Sequence, residues 1–245
     1  MNKEISILGI RVDNITESEA LQRIEGLISD GKAHQVVTIN PEFVVMAQRD
    51  RDFRRVLNGA DLALPDGVGL LWASRVLGRP LRERVAGSDL VERLAGLAAG
   101  RGYSLYLLGA GPGVAARAAR ALLSRHPGLR IAGTYAGSPR VDDDLDIVVK
   151  IRAASPDVLL VAFGAPAQDF WIQRNLHKLG VPVCVGVGGS LDFVSGKVRR
   201  APAWMRNLGL EWLFRLAIQP WRWRRMLRLP HFAFLVLRSR VWQKA

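Results

Sequence analysis

The sequence predicts an α/β fold, Rossmann-like, with a mostly parallel sheet covered by helices on both faces and a basic, aromatic helical appendage at its C-terminal end. Three observations carry this. Short apolar runs rich in Val, Ile and Leu alternate with helix-period segments through residues 1–196. Several of these runs end in glycine-containing turns such as LPDG (64–67), GAGPG (109–113) and GGS (188–190). From residue 197 onward the composition changes abruptly, which predicts an α/β body over 1–196 and a distinct appendage over 197–245.

Taken in order, ISILGIRV (5–12) reads as a strand. Thr16 begins T-E-S-E, a capping box with Glu19, ahead of the helix ALQRIEGLISD. HQVVTIN (34–40) is a strand. Asn40-Pro41 then supplies a cap and a first-turn proline for the helix EFVVMAQRD. DLALPDG is a short strand and turn, followed by helices VGLLWASRVLG and SDLVERLAGLAAG, each stopped by glycine. YSLYLLGAG and LRIAGTYAG are strands around the helix PGVAARAARALLSRH. DDDLDIVVKIRAAS is helical, DVLLVAFG a strand, PAQDFWIQRNLHKLG a helix, and VPVCVGVGG a strand. In such sheets ligands bind beyond the carboxyl ends of the strands. The segments to inspect are therefore those that follow strands.

Charge is concentrated. The chain carries 35 Lys+Arg against 22 Asp+Glu, and after residue 196 the bases far outnumber a lone acid, Glu211. That region also holds Trp204, Trp212, Trp221, Trp223 and Trp242 of the chain's 7 tryptophans. Rings and arginines together suit a membrane interface, where indoles sit at headgroup level and guanidinium groups meet phosphates. They also suit nucleic acid, or a helical cap packed on the body. Leucine content and the run FAFLVL favour the membrane. The N-terminus has no long apolar segment with a cleavage site, so no signal peptide is expected, and no stretch reaches the ~20 apolar residues of a spanning helix. The single Cys184, inside VPVCVGVG, reads as a buried strand residue and allows no disulfide within the chain.

Among the strand-end segments, Gly109, Gly111 and Gly113 lie between a strand and a helix, where backbone N–H groups can receive a phosphate. A tight structural turn is the competing reading. The next strand ends without the acid that would hold an NAD ribose. Asp66 stands at a strand mouth, either as a general base or as an ordinary Asp-Gly turn. Asn40 reads equally as a helix cap and Thr38 as a strand residue. The acids of DDDLD (142–146) suit a helix start better than a metal site. There is no H-E-x-x-H, C-x-x-C or G-x-S-x-G, so zinc and hydrolase-elbow chemistry find no support.

Several blocks in sequence order together resemble the WecG/TagA/CpsF family of bacterial glycosyltransferases, glycosyltransferase family 26. They are VTINPEFVVMAQRD, LALPDGVGLLWASRVLGRPLRERVAGSDL, LYLLGAGPGVAARAA, LLVAFGAPAQDFWI and VGVGGSLDFVSGKVRRAPAWMRNLGLEWLFRLAIQPWRWRR. The likeness runs from about Ile7 to Arg225. It implies an inverting transfer, without a required metal or cofactor, from a UDP-sugar such as UDP-N-acetylmannosamine to a polyprenyl-diphosphate-linked sugar. It also implies a peripheral enzyme on the cytoplasmic face of the bacterial inner membrane, in teichoic acid, common antigen or exopolysaccharide synthesis. Under the resemblance Asp66 is the general base, with Thr38 and Asn40 beside it. Arg84, Gln168 and Asp192 bind substrate, Asp192 on the nucleotide side, and Arg215, Arg222 and Arg225 supply cationic contacts from the appendage. The family's P-K-Q-E reads Pro166-Ala167-Gln168-Asp169 here, which removes a lysine and shortens an acid. An NAD(P)-dependent oxidoreductase and a non-catalytic basic membrane- or nucleic-acid-binding protein are the alternatives from other classes. Homo-oligomerisation stays open, since an apolar tail packs between subunits as readily as on lipid.

Overall fold

The structure is a computed structural model that describes residues 3–242; for Asn207, Arg222 and Trp242 only the backbone is described. Among the described residues, six strands form one parallel sheet in the order β4-β3-β8-β7-β5-β6. They are β3 (His34–Ile39), β4 (Leu62–Pro65), β5 (Ser104–Gly109), β6 (Arg130–Tyr135), β7 (Val158–Ala162) and β8 (Val183–Gly186). The strand expected from ISILGIRV is instead a hairpin, β1 (Glu4–Ile7) and β2 (Ile10–Asp13), paired antiparallel outside the main sheet. Leu8 and Gly9 both turn through positive φ, 51° and 79°, which lets two residues reverse the chain with the twist that strands prefer. Ile5, Ile7, Ile10 and Val12 fall on one buried face, and the step of three from Ile7 to Ile10 breaks the alternation of two that one continuous strand would keep.

Strand side chains alternate between two apolar layers, as the pleat requires. On one face Val36, Leu64, Leu107, Leu160 and Val185 meet α1 (Glu17–Ser29), α5 (Gly87–Arg101), α6 (Val114–Arg125) and α9 (Ser190–Val194). On the other face, Val37, Ile39 and Ala63 meet the hairpin, α2 (Pro41–Arg49), α3 (Arg51–Gly59) and α4 (Val68–Val76). Further along that face Leu108, Leu159 and Cys184 meet α7 (Asp144–Ala154) and α8 (Ala167–Leu179). The capping box of Thr16 with Glu19 and the Asn40 cap, whose amide oxygen accepts from Phe43 N–H, form as expected. Helix α3 was not foreseen. Asp50 ends α2 and its carboxylate accepts from the N–H groups of Asp52 and Phe53, restarting the chain as a second helix.

The chain leaves β3 and β7 toward α2 and α8 on one face, and leaves β8 toward α9 on the other. Neighbouring strand ends therefore part company, and a crevice opens at the carboxyl edge of β3, β8 and β7.

The segment after residue 197 forms α10 (Ala203–Asn207), α11 (Glu211–Ile218), a 3-10 turn (Pro220–Arg222), α12 (Trp223–Met226) and α13 (Arg228–Trp242). Pro220 opens the turn, and Pro230 lies in the first turn of α13, where its missing N–H costs nothing. Composition breaks near residue 197, but packing does not. Phe232 and Val236 of α13 are 2% and 0% exposed, inside the same apolar cluster as Val37, Phe43 and Leu70. The appendage thus closes part of the core. Phe232→Ala is expected to lower the unfolding free energy by about 3–5 kcal/mol. An unchanged denaturant midpoint would show that α13 is not docked.

Candidate active site

The crevice holds two adjoining cavities of about 370 Å³ and 380 Å³. The first is polar and lies over the ends of β3, β7 and β8. Thr38, Asn40, Asp66, Gln168, Asp192 and Arg215 are among its walls. The second is apolar and lies between α4, α11 and α13, with Val68, Trp72, Trp212, Leu229 and Phe232 in its walls. Asn40, Glu42, Asp66, Glu211 and Arg215 border both and form a polar neck between them.

Asp66 follows β4, and its backbone N–H donates to Ile39 O at 2.7 Å, which fixes the turn beside the end of β3. Loss of surrounding water raises its carboxyl pKa to about 6. The Gly87 N–H and the Arg84 charge act against this, while Glu211 and Asp89 reinforce it. A carboxylate so placed is ionised at neutral pH yet basic enough to accept a proton.

Thr38 and Gln168 take roles that residue type alone did not reveal. The Thr38 hydroxyl donates to Gly186 O at 3.2 Å and ties β3 to β8. The Gln168 side-chain oxygen accepts from Gly164 N–H at 3.2 Å and from Gly188 N–H at 2.9 Å. Gln168, 1% exposed, thereby fastens the loops after β7 and β8 to each other. Both side chains shape the wall more than they present free groups to it. Asn40 spends its amide oxygen on the cap, which leaves its NH₂ available to a ligand. Asp192 is ion-paired with Lys197 at 3.2 Å.

Gly109, Gly111 and Gly113 lie beside the cavities and do not line them. Gly109 has φ 98°, and a Cβ there would stand 2.8 Å from the Ala162 carbonyl carbon. Its smallness allows β5 to pass close to β7. The expected phosphate turn therefore lies at the end of β5, beyond β7 and four strands from the β4 that carries Asp66, and the tight-turn reading accounts for Gly109.

The appendage supplies the cations. Arg215 of α11 stacks on the Phe193 ring with its guanidinium carbon 4.6 Å from the centroid, and it presses so close to Gly189 that a Cβ there would lie 2.6 Å from it. Its one described side-chain hydrogen bond is to Gln219, at 3.3 Å, and among the described residues no carboxylate comes within ion-pairing distance. Burial and the nearby Arg225 lower its pKa. Arg225 instead donates twice to one Glu42 oxygen, at 2.9 and 2.7 Å. Arg222 falls on the 3-10 turn, and its side chain lies outside the described residues. Arg84 borders the apolar cavity, 3.9 Å from Asp89. Asp89 also receives Arg200 at 2.7 Å, and Arg200 reaches Glu211 at 3.4 Å.

Glu42, Glu211, Arg200 and Phe193 were missed as site residues. Glu211 offered a signal, as the sole acid of a strongly basic segment. Among the described residues no group of three or more His, Cys, Asp or Glu side chains is arranged to hold a metal ion.

Asp169, where the family pattern has glutamate, is fully buried behind Gln168. Burial raises its pKa to about 7, opposed by the Gln168 side chain and its own backbone N–H. The folded pKa exceeds the unfolded one, so the native state holds the proton more tightly. Stability contributed this way is present at low pH and lost as pH rises from about 4 to 7. Asp169→Asn should flatten the fall in melting temperature between pH 5 and pH 8, by an amount worth at most a few kcal/mol. An identical fall in both proteins would show that Asp169 does not titrate in that range.

The sequence model of the family described as "Glycosyl transferase WecG/TagA/CpsF family" matches residues 5–245. A protein of Bacillus subtilis (strain 168) is 39% identical over 204 residues, 83% of this chain and 79% of its own. One of Staphylococcus aureus (strain NCTC 8325 / PS 47) is 30% identical over 239 residues, 97% of this chain and 93% of its own. Both are named N-acetylglucosaminyldiphosphoundecaprenol N-acetyl-beta-D-mannosaminyltransferase.

Proposed function

The chain belongs to the WecG/TagA/CpsF family of glycosyltransferases, and from that premise we propose that it moves N-acetylmannosamine from a UDP donor to the N-acetylglucosamine of a polyprenyl-diphosphate-linked acceptor, with inversion. Family membership sets aside the oxidoreductase and the non-catalytic scaffold. The observation that carries the mechanistic reading is Asp66, a carboxylate with pKa raised to about 6 in the neck between a polar and an apolar cavity.

In this reading the UDP-sugar occupies the polar cavity. An acceptor hydroxyl enters the neck, and its oxygen attacks the anomeric carbon from the face opposite UDP. Its proton passes to the Asp66 carboxylate. The bond from the anomeric carbon to the diphosphate oxygen breaks with its electron pair, and UDP leaves. Arg215, with no carboxylate partner among the described residues, meets the negative charge that grows on the diphosphate. Asn40 offers its amide N–H groups to the sugar.

The appendage fits contact with a bilayer surface. Trp204, Leu208, Trp221, Trp223, Leu227 and Val241 are each more than half exposed, while Arg215 and Arg225 turn inward to the polar cavity. No helix among the described residues is long and apolar enough to cross a membrane. A peripheral position on the cytoplasmic leaflet, where nucleotide sugars are available, follows from this reading.

Asp66→Asn should retain UDP binding and lose turnover by about 10²-fold or more. The wild-type pH profile of kcat/KM should fall on the acid side with a pKa near 6, because protonated Asp66 cannot act as base. Near-normal turnover by the variant would remove Asp66 from that role.

A further inference from the structure

We infer that the apolar cavity between α4, α11 and α13 is a built subsite for the first prenyl units of the acceptor, so that the enzyme draws the lipid's proximal end out of the bilayer and reads it directly. This rests on the proposed transfer reaction and adds a determinant of acceptor choice to it.

The cavity continues from the catalytic neck, sharing Asp66 and Arg215 with the polar chamber. Beyond the neck its walls change character. Val68 and Trp72 line one side, Trp212 another, and Leu229 and Phe232 another. A sugar or nucleotide would leave those surfaces unmatched, whereas a hydrocarbon chain gains by covering them. The order of groups along the acceptor matches the order of surfaces. The sugar hydroxyl stands at Asp66, the acceptor's diphosphate falls beside Arg84, and the hydrocarbon follows onto the indoles. Val68 and Trp72 are 38% and 39% exposed and Trp212 is 41% exposed, so the wall is open to an entering chain. At about 380 Å³ the cavity takes the proximal units and leaves the remainder of a long chain outside. Body and appendage each contribute a wall, so an occupying chain holds the two together across the neck.

The test uses the full chain in buffer without vesicles or detergent, with two soluble acceptors: N-acetylglucosamine diphosphate carrying either a three-unit prenyl chain or a methyl group. Wild type should prefer the prenyl acceptor in kcat/KM by about a hundredfold, the return on roughly 110 Å² of apolar surface covered. Trp72→Ala should cut that preference about tenfold, and Trp212→Ala, on another wall, should do likewise. Both side chains are over a third exposed, so neither change empties the core. A preference equal in wild type and both variants would overturn the subsite. So would a prenyl preference that emerges only when vesicles are added, since the chain then stays in the bilayer. If the methyl acceptor is glycosylated while no prenyl preference exists, the transfer reaction stands and the subsite alone fails. If neither acceptor receives sugar, the reading of the reaction fails with it.

Discussion

A guanidinium largely removed from water without a carboxylate to meet it organises this site. Arg215 lies against the Phe193 ring and the Gly189 backbone, on the wall shared by both cavities. Burying an unpaired charge is costly, and a buried cation persists only where the surrounding structure holds it. Here the holding is done by ion pairs on either side of α11. Arg200 joins Asp89 of the body to Glu211 at the start of α11, and Arg225 beyond it binds Glu42 at the start of α2. With Arg200 and Arg225 already paired, Arg215 is left, among the described residues, as a cation offered to an incoming anion. An anionic ligand then offsets the electrostatic cost of holding that charge away from water.

The same fastening explains why the appendage is both part of the fold and part of the site. Phe232 and Val236 give α13 a place in the core, and that anchor sets where α11 can lie. The neck, with Asp66 and Glu42 from the body and Glu211 and Arg215 from the appendage, exists only when both parts are present. Apolar rings face outward on the same segment, which is the arrangement expected of a catalytic arm resting on a lipid surface.

Much of this was legible in the sequence because it is local. Alternating strand and helix patterns, the Thr16 capping box and the Asn40-Pro41 helix start depend on neighbours within a few residues, and each is found where expected. The hairpin left a trace that is easily passed over, the step of three from Ile7 to Ile10 that breaks the alternation of two. Helix α3 was hidden because Asp50 restarts a helix where a reader sees one ending. The roles of Thr38 and Gln168 were hidden for another reason. Their partners, Gly186 and the N–H groups of Gly164 and Gly188, are contributed by other turns, and only the fold brings them together. The glycines of GAGPG looked like a phosphate turn, yet Gly109 is small because β7 runs beside it.

The most direct measurement of the central claim is calorimetric binding of UDP and of uridine to the wild type and to Arg215→Ala. If Arg215 receives the diphosphate, the wild type binds UDP at least about tenfold more tightly than uridine, as a charge-assisted contact of 1.5–3 kcal/mol requires. Arg215→Ala then loses that advantage while binding uridine as before. A variant that keeps the full preference for UDP would place the diphosphate elsewhere and contradict the account.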